Sequence, residues 1–271
     1  MALPVALQLY SVRDDMEKDF EGTLKKVSEL GYAGVEFAGL FGKTAAEVKA
    51  LCEKYSLTPI SAHVPLVDIL ADTDGLLAIY KEIGVKFIAV PYVTEERRPG
   101  AEKFDETIED IKKIGAACEK LGLTLVYHNH DFEFVDLNGE IGLDVLYNRV
   151  PANWLATEID TCWANVGGVD PAKYVLKYTG RAPIVHLKDF AGVPAGRLYA
   201  LIGLDEDNKE ESSTFEFRPV GYGKQEFPSI LDASVKAGAT WVVVEQDNPS
   251  MGKTPLECAE MSRNYLKTLG W

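Results

Sequence analysis

Cations are in short supply in this 271-residue chain: 28 lysines and arginines stand against 42 aspartates and glutamates, a formal net charge of −14. Nucleic-acid affinity comes mostly from Lys and Arg neutralising phosphates, so no nucleic-acid partner is expected. An acidic surface is equally ill suited to anionic lipid, and its simplest consequence is solubility. Cysteine is scarce too. Cys52, Cys118, Cys162 and Cys258 form no CxxC pair, and three of them fall in stretches that read as helix, so small, reduced, buried thiols are expected. No apolar run reaches the roughly 18 residues of a membrane helix. The opening stretch, Met1 to Tyr10, has no basic region and contains Pro4, which points to a cytoplasmic protein with no membrane partner. Nor does a GxGxxG follow the first apolar run, as a dinucleotide fold requires.

What fills the chain is an alternation of short apolar runs and amphipathic helices. Runs over Val5–Leu9, Gly34–Phe37, Pro59–His63, Val85–Val90, Leu123–His130, Trp154–Asp160, Ile184–Lys188 and Thr240–Glu245 predict eight strands. Between them, Phe20, Leu24, Val27 and Leu30 recur at helical spacing and stop at Gly31. Thr44 with Glu47 forms a capping box, and Asp170 caps a helix whose first turn tolerates Pro171. Ile108, Ile111, Ile114, Cys118 and Leu121 mark the clearest helix, ended by Gly122. Parallel strands need crossover helices, and eight such units suit closure. The expected fold is α/β, a single (β/α)8 TIM barrel domain over residues 1–271, with a long loop insertion after strand 7 from Phe190 to about Gln225.

In such a barrel the chemistry gathers at the carboxyl ends of the strands. All four histidines, His63, His128, His130 and His186, end predicted strands, and Asp160, His186 and Glu245 end three adjacent ones. Each alone has an ordinary explanation as a helix cap or a core histidine. Buried together and unpaired, they would cost about 1–3 kcal/mol apiece, which a bound cation would remove. Imidazole and carboxylate without thiolate suit one divalent metal of the Mn, Co, Zn or Fe class, not a structural zinc. Lys188, two residues past His186, points by strand alternation into the same mouth, unless it merely pairs with Asp189. Cys162, with no base beside it, is read as structural. Gly221 and Gly223 either bring backbone close to a ligand or turn the chain. Tyr10, Phe37, Trp163 and Phe190 are either walls of a sugar pocket or core.

The same residues carry a resemblance. Gln8-Leu-Tyr-Ser-Val-Arg13, Gly34-Val-Glu36, Leu125-Val-Tyr-His-Asn-His130, Glu158-Ile-Asp160, Val185-His-Leu-Lys-Asp189, Pro219-Val-Gly-Tyr-Gly223 and Val243-Val-Glu-Gln-Asp247 span nearly the whole chain in order. The set resembles the xylose-isomerase-like barrels: sugar phosphate isomerases/epimerases, keto-sugar epimerases and inosose dehydratases. That resemblance implies one divalent metal held by Glu, Asp, His and Glu from strands five to eight. Asp160, His186 and Glu245 match the last three. At strand five this chain has His128 where many members have Glu, with His130 and Glu133 close behind.

Trp163 stands where keto-sugar epimerases carry a substrate-binding His, and Glu36, His63 and Trp163 are the expected substrate contacts. The activity implied is sugar isomerisation or epimerisation by proton abstraction next to a carbonyl, through an enediolate. Glu245, His130, Glu133 and Lys188 are its catalytic candidates. A keto-sugar dehydratase or lyase is the alternative toward which the His-rich strand five leans, and a non-catalytic sugar-binding barrel is the alternative of another class. Endonuclease relatives need more ligands and a basic face. The partner expected is a small sugar or keto-sugar, and a homo-oligomer is compatible with it.

Overall fold

Eight parallel strands close on themselves. A computed structural model describes residues 2–194 and 214–271. In it β1 (Val5–Gln8), β2 (Gly34–Phe37), β3 (Thr58–His63), β4 (Phe87–Val90), β5 (Thr124–His128), β6 (Ala156–Asp160), β7 (Ile184–Leu187) and β8 (Trp241–Val244) follow one another round a barrel, and β8 pairs back to β1. The chain is an α/β TIM barrel with helices outside. The helix Phe20–Leu30 buries Phe20, Leu24 and Val27 and stops at Gly31, whose φ of 94° suits glycine. The Thr44–Glu47 box opens Ala45–Lys54, and Asp170 caps Pro171–Lys177. The Ile108 stripe belongs to Phe104–Leu121, the longest helix among the described residues. All four cysteines are free and buried, and all four lie in helices, one more than the pattern indicated.

Strand alternation sorts the barrel interior into layers. Ala6, Ile60, Ile184 and Val243 form one apolar cluster inside, with Phe87 and Trp241 against it; Ala89, Val126 and Ala156 form another. Two residues further along their strands, the same inward face carries Gln8, His128, His186 and Glu245 in place of Ala6, Val126, Ile184 and Val243. The register between β2 and β3 shifts at Val35/Glu36, where Pro59 and Ser61 are successive partners and Ile60 is skipped. That extra residue lets both Ile60 and His63 reach the interior.

Strand five ends sooner than its apolar run. The ladder stops at His128, because the backbone N–H of His130 donates to the Glu133 carboxylate (2.7 Å) and so leaves the sheet. After β7, Asp189–Ala191 pairs antiparallel with Glu216–Arg218; residues 195–213 of the expected insertion lie outside the described residues. The buried Asp189 carboxylate gathers the N–H groups of Phe190, Gly221, Gly223, Lys224 and Gln225. A Cβ on Gly223 would come within 2.3 Å of Asp189 Oδ1, so the glycine lets backbone approach a carboxylate of this chain and serves the turn. Among the described residues no helix is long and apolar enough to cross a membrane.

Candidate metal centre and cavity

Period-two alternation and register together build the centre. On β6, Glu158 and Asp160 are two residues apart; the first is opposite His128 of β5 and the second opposite His186 of β7. One ligand atom from each of His128, Asp160, His186 and Glu245 lies within 4.8 Å of the others, and all four side chains are buried. His186 Nδ1 is 3.0 Å from Glu245 Oε2, while His128 Nε2 is 3.8 Å from Asp160 Oδ2 and 3.9 Å from Glu245 Oε2. Asp160 does two things at once. Its Oδ1 accepts from the N–H of Trp163 (2.9 Å), capping the short helix Thr161–Val166. Its Oδ2 has no hydrogen-bond partner among the described residues.

A buried oxygen left bare beside two imidazoles and a second carboxylate is the donor set of a divalent cation. Among the described residues the one lysine at the centre is Lys188, 3.2 Å from Glu245 Oε2, 3.7 Å from Asp160 Oδ2 and 2.6 Å from Asp247 Oδ2. The Lys188 ammonium faces three carboxylates, and against burial Glu36 and Glu158 raise the His186 ring, so the fit to a metal rests on geometry and donor type. On strand five it is His128 whose ring nitrogen lies within 4.8 Å of the other three candidate ligand atoms, while Glu133 is held by Tyr127 and the His130 N–H.

Burial pushes the Asp160 carboxyl up to about 7, whereas for Glu245 the opposing burial is outweighed by Lys188 and His186, which hold it below the carboxylate range. Burial and then the charge on His186 lower His128; burial and then Lys188 lower His130, so both imidazoles are neutral. Burial works against the Lys188 ammonium, but Asp247, Glu245 and Asp160 together keep it charged.

Above the centre opens a cavity of about 380 Å³. Tyr10, Pro65, Pro91 and Tyr92 supply an apolar side, and His130, Lys188, Glu245 and Asp247 a polar one, with His63 and His128 on the wall between. Other expected site residues lie elsewhere. Glu133 is fully buried, accepting from Tyr127 Oη (2.6 Å) and the His130 N–H, and it is absent from the cavity wall. Glu36 sits beneath, 2.9 Å from His63 Nε2 and 3.0 Å from His186 Nε2. Trp163 packs with Phe190, Phe215 and Phe217 and sets its ring 5.4 Å from Lys188 Nζ, bracing the ammonium from behind. Of the four aromatics read as either pocket wall or core, Tyr10 lines the cavity; Phe37 is core, and Trp163 and Phe190 belong to the aromatic cluster. Glu158, Gln8 and Asp247 stood in the motifs that carry the resemblance but were given no role in the site. Their signal was position: Glu158 stands two before Asp160, and Asp247 two after Glu245.

The profile of the xylose isomerase-like TIM barrel family matches residues 24–269, and the chain belongs to that family. It is similar to an inosose dehydratase of Geobacillus kaustophilus, 23% identical over 91% of this chain and 86% of that protein. A rhizopine catabolism protein, MocC, of Rhizobium meliloti is also 23% identical, over 91% of this chain and 80% of its own. Among solved structures, a sugar phosphate isomerase/epimerase of Parabacteroides distasonis superposes with a TM-score of 0.79 at 19% identity, covering 98% of each chain. The IOLI protein, solved with a zinc atom bound, superposes with a TM-score of 0.74 at 16% identity, covering 99% of this chain and 98% of its own. At these identities the likeness to the solved structures is one of fold.

Proposed function

We propose that this chain, working as one barrel domain over residues 1–271, is a divalent-metal-dependent lyase of the dehydratase type acting on a keto-sugar. His128, Asp160, His186 and Glu245 would hold the metal. The observation that carries the reading is an asymmetry: Glu245 is the only glutamate on the cavity wall among the described residues, and the Lys188 ammonium stands 3.2 Å from it. Epimerisation by two opposed glutamates needs a second one, and the strand-five candidate, Glu133, is held by Tyr127 and His130 instead.

A bound divalent cation would polarise the sugar carbonyl and acidify the adjacent C–H. Glu245 takes that proton on a carboxylate oxygen. Lys188 Nζ donates its proton to the departing β-oxygen, so that the C–H and C–O bonds break, a C=C bond forms beside the carbonyl, and water or an alcohol leaves. Tyr10 and Tyr92 offer apolar faces to the ring, and His63 and His130 are placed to hydrogen-bond its hydroxyls. Positioned base catalysis of this kind contributes about 10²–10⁴-fold. The inosose dehydratase name of the Geobacillus relative agrees with elimination.

One observation favours a second reading. A single base suffices to move a proton between neighbouring carbons, and Glu245 is such a base, so aldose–ketose isomerisation needs no second glutamate. Incubation of metal-loaded protein with inososes, keto-sugars and 3-keto-glycosides in D2O, followed by NMR, separates the readings. Water-loss products or released aglycone support the lyase; deuterated isomers without elimination support the isomerase. Sugar binding with neither exchange nor turnover, under Mn, Co, Zn and Fe alike, identifies a sugar-binding barrel and overturns both.

A further inference from the structure

Beneath the four candidate ligands lies a second, overlapping group. Ligand atoms of His63, His128, Glu158 and His186 also lie within 4.8 Å of one another, and all four side chains are buried. His128 and His186 belong to both groups, but they present opposite ring nitrogens to each. Toward the cavity His128 turns Nε2 and His186 turns Nδ1. Toward the barrel interior His128 turns Nδ1, 3.3 Å from Glu158 Oε1, and His186 turns Nε2, 3.3 Å from the same oxygen and 3.0 Å from Glu36 Oε1.

Both deep nitrogens are close to carboxylate oxygens without a well-directed hydrogen bond, and Glu36 Oε2 and Glu158 Oε2 have no partner among the described residues. The deep carboxylates are otherwise well held. Glu158 Oε1 meets His63 Nε2 at 2.7 Å, and Glu36 Oε1 meets Gln8 Nε2 at 2.7 Å. Two cations cannot share both rings unless each imidazole loses its last N–H, so a metal in one group makes the other group its support. The upper group opens on the cavity where a substrate can reach it, and the lower one does not contain Glu245 or Asp160.

We propose that Glu158, with Glu36, is a positioning residue of the metal centre: its Oε1 stands 3.3 Å from one ring nitrogen of each histidine ligand, placed to take both N–H groups from below once the cation is bound, and so dictates which nitrogen of each ring binds it. His186 then binds through Nδ1 with its Nε2–H on Glu36 and Glu158, and His128 binds through Nε2 with its Nδ1–H on Glu158. Ligating histidines commonly give their second N–H to a carboxylate, which fixes ring orientation and raises ligand basicity. Here one glutamate serves two ligands, and the mixed Nδ1/Nε2 ligation follows from its place between them. This rests on the metal part of the proposed function and not on the reaction.

The test uses the full chain loaded with zinc. Long-range 1H–15N NMR of the histidine rings is expected to show His186 metal-bound at Nδ1 and His128 at Nε2, with one zinc per chain. Glu158→Gln is expected to weaken zinc binding by about 10–100-fold in a competition titration, and Glu36→Gln in the same direction by less. Cobalt-loaded Glu158→Gln is expected to show a shifted visible spectrum, which a general loss of stability would not produce. Ligation through the opposite nitrogens, or two zinc ions per chain, would place metal in the deep group and overturn the assignment. Unchanged affinity in both variants overturns it as well. Zinc binding that fails in the unaltered protein overturns instead the metal reading beneath it. If Glu158→Gln does not fold, the NMR of the unaltered chain and Glu36→Gln decide.

Discussion

Lys188 Nζ lies 2.6 Å from Asp247 Oδ2, and neither side chain has more than 5% of its surface exposed. The lysine's other neighbours are acids or aromatic faces: Glu245 and Asp160 in front, Trp163 and Phe217 behind at 5.4 and 5.3 Å. A buried charge is tolerated only when paired, so this ammonium is as much a part of the fold as of the site.

Replacing that charge should therefore be costly without metal. Lys188→Met is expected to lower the unfolding free energy of chelator-treated protein by about 3–5 kcal/mol, because three buried carboxylates lose their counter-charge. Adding Asp247→Asn should restore part of the loss. Urea unfolding of both variants checks this; equal stability of Lys188→Met and the unaltered chain would contradict the packing described. Turnover should be lost in both.

Metal removal should be visible in stability before it is measured in activity. A cation that binds only the folded chain stabilises it by about 2.7 kcal/mol at 100 times its dissociation constant. Thermal unfolding in chelator, then with Zn, Mn, Co or Mg restored, is expected to give a clear rise in Tm for at least one ion. Asp160→Asn and Glu245→Gln should blunt that rise. A Tm indifferent to every ion would remove the metal from the centre.

Glu133 makes a prediction of a different kind. Burial pushes its carboxyl up to about 8, against the bonds donated by Tyr127 and His130. Between the ordinary value of 4.5 and about 8 the folded chain keeps a proton that the unfolded chain has released. Stability must therefore fall as pH rises through that window, by up to about 5 kcal/mol, with no penalty below it. Glu133→Gln removes the titration. The stability of the unaltered chain relative to the variant should thus decline from pH 4.5 to 8 and level off above, as read by urea unfolding at several pH values. A flat difference would mean that Glu133 stays ionised.

The knot at Asp189 should behave as structure. Asp189→Asn replaces one acceptor oxygen by an amide that opposes the surrounding N–H donors, with an expected cost of about 3 kcal/mol. Gly223→Ala should cost a similar amount, since its Cβ would meet Asp189 Oδ1 and Phe190 O at 2.3 Å. Shifts in urea midpoint for both variants, with metal affinity within a few-fold of normal, separate this turn from the metal centre.

The alternation of apolar runs and capped amphipathic stripes was enough to read the barrel, because hydrophobic period and cap chemistry are local. The Thr44–Glu47 box, the stop at Gly31 and the Asp170 cap before Pro171 all stand where they were expected. Strand ends were less legible. Lys86 interrupts the run from Val85 to Val90, and β4 begins only at Phe87, while strand five gives way after His128 because a carboxylate five residues on captures the His130 N–H.

The candidate ligands Asp160, His186 and Glu245 could be read from their place at the ends of adjacent strands, since strand order in a barrel follows chain order. Lys188 followed by alternation. The residues that tertiary structure alone sorted were those whose direction depends on partners distant in sequence. His128, not Glu133, stands with the other three candidate ligands; Trp163 braces a lysine; Glu158 lies beneath both His128 and His186. Sequence spacing determines which face of a strand a side chain occupies. Which of two imidazole nitrogens meets a carboxylate depends on angles and distances between β5, β6, β7 and β2, and only the closed barrel decides those.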